Sequence, residues 1–314
     1  MEPSPKDTTT QKKKRAICDR CKFPKEKACI CKALPDTPLS ALFHRCRVIV
    51  LQHPHELRRK NRSLPLVELA LFGQHLSQTE QQNSSASDDD FVMKTIVGRR
   101  IGEKSDDAIL KLLSDPNEVV VLVFPHPNAM DLEDGLALAE SKIKGTSQNQ
   151  EGETKSATNA TSSPDGTNLS DKKMTLIFID ASWKHAKEMD NKTEAAGVWP
   201  KHLIRVQLTP SASSTSNQEE TSNDAFVQRR FQIRAPPSPD HLSTAECLAW
   251  IASRVEGNSD IYEGIMKVLD YMVELWRGFA RPDGDKRKGG GSFTDGDGSR
   301  EMTQKRRKIT SNKK

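Results

Sequence analysis

Three runs of consecutive apolar residues constrain this chain more than any other feature: Arg47-Val-Ile-Val-Leu-Gln52, Val119-Val-Val-Leu-Val-Phe124 and Met174-Thr-Leu-Ile-Phe-Ile179. Each is rich in β-branched residues, bounded by polar sequence and too short for a buried helix, so each is read as a strand. None alternates apolar with polar. A strand that is apolar on both sides must be covered on both faces, which is the signature of a parallel sheet between helical layers. His202-Leu-Ile-Arg-Val-Gln-Leu208, Phe91 to Val97 and Phe231-Gln-Ile-Arg234 are weaker strand candidates. Helical patterns fall between them, at Leu64 to Leu76, Asp106 to Leu113, Asp131 to Glu140, Asp180 to Met189, Ser243 to Ala252 and Ile261 to Phe279. Strands alternating with helices predict an α/β domain, an open and largely parallel sheet with helices on both faces. Ligands of such sheets bind beyond the carboxyl ends of the strands.

The rest of the chain is polar. Hydrophobic residues make up 34% and the mean hydropathy is −0.68, low for 314 residues packed throughout. The expected organisation is a polar tail at 1–16, a cysteine cluster at 17–35, a catalytic-type domain at 41–280 and a basic tail at 281–314. Polar insertions are expected near 78–90, 143–173 and 210–224, and the tails are expected to be disordered. The net charge of +5 is misleading: residues 281–314 hold 11 Lys/Arg against 5 Asp/Glu, so the remainder is close to neutral. The tail can add salt-sensitive phosphate affinity, and Lys305-Arg-Arg-Lys308 also suits a nuclear-import signal. No stretch approaches the 18 or so apolar residues of a membrane span. The lysine-rich start lacks the apolar run of a secretory signal. The expected location is nucleus and/or cytoplasm, and oligomeric state is not readable.

In such a reducing compartment, disulfides do not explain the spacing Cys18-x2-Cys21-x7-Cys29-x1-Cys31. Four thiolates within fourteen residues can surround one structural Zn²⁺ ion tetrahedrally. Cys46 and Cys247 sit beside apolar segments and read as inert core thiols.

Polar clusters follow the predicted strands. Gln52-His-Pro-His-Glu-Leu-Arg-Arg-Lys-Asn-Arg62 puts His53, Glu56, Arg58, Arg59 and Asn61 on one rim, suited to phosphates or a small carboxylate. Arg99 and Arg100 stand between glycines after the Phe91–Val97 segment. Pro125-His-Pro127 turns the chain after Phe124. Asp180-Ala-Ser-Trp183 follows the third run. Asp180 is either a site carboxylate or a plain helix N-cap, and Trp183 either stacks on a planar ring or packs in the core. Ser243-Thr-Ala-Glu246 fits a capping box, whose free amides can also meet an anion.

Taken in order, four of these features resemble the DTW-domain family across roughly residues 17–280. They are the four-cysteine cluster, Leu51-Gln-His-Pro-His-Glu56 with Arg58 and Asn61, Asp180-Ala-Ser-Trp183 with Met189 downstream, and Leu242-Ser-Thr-Ala-Glu246. Val123-Phe-Pro125 with Asp131 adds to the likeness. Two departures are visible: Ser182 stands where the family name expects Thr, and Asn61-Arg-Ser63 replaces Asn-Thr-Gly. The resemblance implies a fold related to the knotted SPOUT methyltransferases. It implies a tRNA-uridine aminocarboxypropyltransferase, using S-adenosylmethionine as donor to form acp3U and methylthioadenosine on a tRNA, with a D-loop uridine expected. It further implies Asp180 and Trp183 as catalytic, and His53, Glu56, Arg58, Arg59, Asn61, Pro125, Ser182, Ser243, Thr244 and Glu246 around the donor. The competing readings are a SPOUT-type RNA methyltransferase, a ribosomal-RNA aminocarboxypropyltransferase, and a noncatalytic zinc-dependent RNA-binding protein.

Overall fold

The computed structural model describes residues 15–59, 62–74, 91–102, 107–148, 172–208 and 242–279. They lie within one compact unit that ends at Phe279. The strand expected at Phe231–Arg234, Asn61 and most of the polar insertions fall outside the described residues.

Six strands form one sheet: β1 (Cys46–Gln52), β2 (Met93–Val97), β3 (Val119–Val123), β4 (Met130–Asp131), β5 (Met174–Asp180) and β6 (Ile204–Gln207). Their spatial order is β2-β1-β5-β3-β6-β4, and every neighbouring pair is parallel. The apolar runs therefore occupy three adjacent interior positions, where both faces are covered. All seven residues of β1 are buried. The two-residue strand β4 has no signal in the sequence; its pairing with β6 alone makes it a strand.

Successive side chains of a strand point to opposite faces, and the core divides accordingly. Val48, Val50, Val121, Leu176 and Phe178 face one layer, built from α1 (Leu64–Phe72), α3 (Leu132–Gln148), α5 (Thr244–Glu256) and α6 (Ser259–Phe279). Ile49, Leu51, Val120, Leu122, Ile177 and Ile179 face the other, built from α2 (Asp107–Ser114) and α4 (Trp183–Ala195). The expected parallel sheet with helices on both faces is what forms.

Two helices differ in length from the sequence reading. Helix α1 ends at Phe72 rather than continuing to Leu76, because Gly73 takes a left-handed conformation (φ 73°) and closes it. Helix α3 runs through residues 143–148, which were expected to begin a polar insertion. Leu132, Leu136, Ala139 and Ile143 recur at helical spacing and pack on the core, so tertiary contact carries the helix onward.

The Glu256 carboxylate at the end of α5 accepts the backbone N–H groups of His44 (3.0 Å), Arg45 (3.0 Å) and Cys46 (2.8 Å). This clamp fixes the C-terminus of α5 at the start of β1. A 13-residue helix rises about 18–20 Å, close to the length of β1. The N-terminus of α5 therefore lies toward the carboxyl edge of the sheet.

Candidate functional site

Strands β1 and β5 are neighbours, yet the chain leaves them in opposite directions. From β1 it passes through α1 on one face to β2; from β5 it passes through α4 on the other face to β6. Diverging exits leave a crevice at the carboxyl ends of adjacent strands, the usual ligand position in an open parallel sheet. The residues at that point are Gln52 and Asp180, which are register partners.

Asp180 is the last residue of β5 and is not a helix cap. The N-cap of α4 is Ser182, whose side chain makes no cap hydrogen bond. Instead, Gln52 Nε2 donates to Asp180 Oδ2 at 2.8 Å, and the His53 N–H donates to the Asp180 carbonyl at 2.9 Å. The carboxylate is thus held by Gln52, and the residue is partly buried. Trp183 is 39% exposed and its ring lies 6.1 Å from that of Phe124. Of the two sequence readings for Trp183, core packing does not hold. A ring exposed to this extent at a strand-end crevice can present a face to a planar group.

Three imidazoles gather at the same edge. His53 and His185 are stacked, 4.2 Å between centroids with planes 3° apart. His55 meets each edge-on, at 4.7 Å and 5.2 Å. The His55 N–H donates to His53 Nδ1 at 3.2 Å, and Ser182 Oγ lies 3.0 Å from His185 Nδ1. His53 is held down to a pKa of about 4, first by burial and then by the neighbouring charges of His185, His55 and Arg99. Arg99 reaches this edge because the turn after β2 is tied to β1: the Gly98 N–H donates to the Gln52 carbonyl at 3.1 Å.

The remaining candidates divide by their surroundings. Glu56 is buried and ion-paired with Arg59 at 3.2 Å, so this pair folds its own loop. Arg58 is exposed beside it. Pro125 is exposed after β3. Ser243 and Glu246 form the expected capping box: Glu246 Oε2 accepts the Ser243 N–H at 2.8 Å and Ser243 Oγ accepts the Glu246 N–H at 3.3 Å. Both side chains are committed there. Helix geometry leaves the Thr244 and Ala245 amides for another acceptor. Asn61 lies outside the described residues.

Sequence reading alone passed over Gln52, His55, Phe124 and His185 as site residues. His55 carried a weak signal in the His-Pro-His sequence. His185 carried none, since one histidine on a polar helix face looks like ordinary surface.

The four-cysteine cluster is compact. Its sulfurs all lie within 4.8 Å of one another, with Cys18–Cys31 at 3.6 Å and Cys21–Cys29 at 3.8 Å. A tetrahedral thiolate site with metal–sulfur bonds of about 2.3 Å has sulfur–sulfur edges of about 3.8 Å. These residues fit a metal ion. Lys22 adopts a left-handed conformation (φ 58°) in the turn between the second cysteine and Phe23. The Cys21 and Arg20 amides hydrogen-bond the Cys18 sulfur and pull its thiol down to about 6, whereas burial raises Cys21 and Cys31. Arg20 Nε donates to the Gly73 carbonyl at 2.6 Å, tying this lobe to the end of α1. Cys46 and Cys247 are not part of it. Burial raises both thiols, Cys247 to about 12, as expected for inert core cysteines.

Sheet, crevice and thiolate lobe define an α/β protein with a strand-end ligand site and a closed four-cysteine metal-type centre. The DTW domain matches residues 15–277, and the chain belongs to the DTW-domain family. It is 25% identical over 263 residues to tRNA-uridine aminocarboxypropyltransferase 2 of Macaca fascicularis, covering 84% of this chain and 64% of that protein. It is 25% identical over 262 residues to the Mus musculus protein of the same name, covering 83% and 64%. Against tRNA-uridine aminocarboxypropyltransferase A of Arabidopsis thaliana it is 24% identical over 270 residues, covering 86% and 84%. The chain thus spans less than two thirds of the two mammalian relatives. No solved structure matches.

Proposed function

We propose that this chain transfers the 3-amino-3-carboxypropyl group of S-adenosylmethionine to N3 of a tRNA uridine, giving acp3U and methylthioadenosine. The observation that carries the reading is the partly buried Asp180 carboxylate, held by Gln52 at the strand-end crevice beside the exposed Trp183. The names of the relatives support the same chemistry.

Uridine N3 is a weak nucleophile until it loses its proton. Asp180 accepts or orients that proton as general base. N3 then attacks the γ-carbon of the methionine moiety. The carbon–sulfur bond breaks, its electron pair stays on sulfur, and the sulfonium charge is discharged as methylthioadenosine leaves. All three carbons on that sulfur are electrophilic, so selection is by position. Arg58 is the exposed cation that grips the donor carboxylate, while the Glu56–Arg59 pair holds the loop that presents it. Thr244, with its amide freed by the Ser243–Glu246 box, meets a further donor oxygen. His53, Pro125 and Ser182 line the donor. The uridine must leave its stack to expose N3, and Trp183 offers the ring on which it rests. This favours an unpaired target such as a D-loop uridine. Cys18, Cys21, Cys29 and Cys31 would hold a structural Zn²⁺ ion, which braces the lobe docked on α1 and takes no part in the transfer.

The test combines purified protein, unmodified tRNA transcripts and S-adenosylmethionine, followed by mass spectrometry of nucleosides and donor products. Aminocarboxypropyl-uridine with methylthioadenosine is expected. A methylated base with adenosylhomocysteine would replace this reading with a methyltransferase. An Asp180→Ala protein with full turnover would remove the base assignment.

A further inference from the structure

The three histidines at the strand-end crevice do more than pack. Among the described residues, no carboxylate is ion-paired with any of the three rings, and their hydrogen bonds go to a backbone amide and a hydroxyl. From the geometry we infer that His53, His55 and His185 form a second metal site, separate from the cysteines, that takes a borderline divalent cation of the zinc class.

The argument is one of distances. Each ring offers a ligand nitrogen, and these nitrogens lie within 4.8 Å of one another. In a tetrahedral site with metal–nitrogen bonds of about 2.0–2.1 Å, imidazole centroids stand about 5 Å apart. The observed separations are 5.2, 4.7 and 4.2 Å. Two edges of the triangle already match. The third, the His53–His185 stack, must open by about 1 Å as the rings turn their lone pairs toward a shared ion. One outer-shell anchor for this is in place. Ser182 Oγ lies 3.0 Å from His185 Nδ1; in the tautomer whose Nδ1–H donates to that hydroxyl, Nε2 is left for a cation. His53 Nδ1 accepts the His55 N–H, so a cation bound at Nδ1 would take that lone pair in place of the amide. Imidazole donors suit zinc, cobalt, nickel and copper and do not suit magnesium or calcium.

Three protein ligands also differ from four. The cysteine centre is closed, whereas a three-histidine centre keeps a position for water or another exchangeable group. The three come from the loop after β1 and the first turn of α4, the two segments that flank the crevice. The cation would tie them together across it.

The experiment uses the full chain with its cysteine centre loaded with one equivalent of zinc, then titrated with Co²⁺. The expected result is a second equivalent with visible d–d absorption and no thiolate-to-cobalt charge-transfer band. His55→Ala and His185→Ala should each weaken that second equivalent by roughly 100-fold or more, and Ser182→Ala by about tenfold. The zinc at the cysteines should be retained in all three, which also shows that they fold. Binding of a single equivalent only, or a second equivalent of unchanged affinity in both histidine variants, would overturn the site. Neither readout depends on transferase activity.

Discussion

Replacing Asp190 by Ala tests whether α4, the helix that carries Trp183 and His185, is held by one buried carboxylate. Asp190 is 1% exposed. It accepts two bonds from Arg205 Nη1, both 2.9 Å, and one from Trp199 Nε1, also 2.9 Å. The Arg205 side chain is itself only 10% exposed. Asp190→Ala leaves a guanidinium and an indole N–H buried with no acceptor for these bonds, apart from a 3.5 Å contact from Arg205 to Glu194. Removing one partner of a buried ion pair costs about 3–5 kcal/mol. That is a large share of the roughly 5–15 kcal/mol that holds a domain folded. With a urea slope of about 3 kcal/mol/M, the unfolding midpoint followed by circular dichroism should fall by about 1–1.7 M. Asp190→Asn keeps the volume and one acceptor oxygen, so its loss should be smaller. A shift of less than about 0.3 M for Asp190→Ala, under 1 kcal/mol at this slope, would refute the reasoning. It would mean that water or Glu194 satisfies Arg205 and that the carboxylate does not anchor the helix.

Gly135→Ala in α3 should destabilise by about 1–3 kcal/mol, because a Cβ there would run into Val206 Cγ1 of β6; thermal unfolding checks it against the helix-propensity gain of about 1 kcal/mol. The depressed His53 pKa makes stability depend on pH. With only the cysteines metal-loaded, the unfolded chain takes a proton near 6.5 and the folded chain only near 4. Stability is therefore full above about pH 6.5, falls as the pH drops toward 4 and levels off below; His53→Gln should remove that component in urea titrations across the window. Arg58→Ala should raise KM for S-adenosylmethionine by roughly 10-fold or more, the loss of one charge-assisted hydrogen bond, at unchanged stability. Arg59→Ala should instead lower the melting temperature, since it takes from the buried Glu56 an ion-pair partner 3.2 Å away.

Elements whose cause is local were legible in the residues alone. Apolar runs with no alternation made Arg47–Gln52, Val119–Phe124 and Met174–Ile179 strands of a covered parallel sheet, and the structure puts them at adjacent interior positions. The four-cysteine spacing and the Ser243–Glu246 capping box were equally readable, because each closes within a few residues. Tertiary structure decided the rest. No local signal says that β1 and β5, separated by more than a hundred residues, lie side by side. Yet that pairing turns Asp180 from a possible helix cap into a carboxylate held by Gln52. Nor could it say that His185 stacks on His53, that α3 continues through Ile143, or that two residues at Met130 form a strand. Periodicity records which face of an element is apolar. Which elements then meet is set by packing between distant segments, and it is there that the crevice and its residues come together.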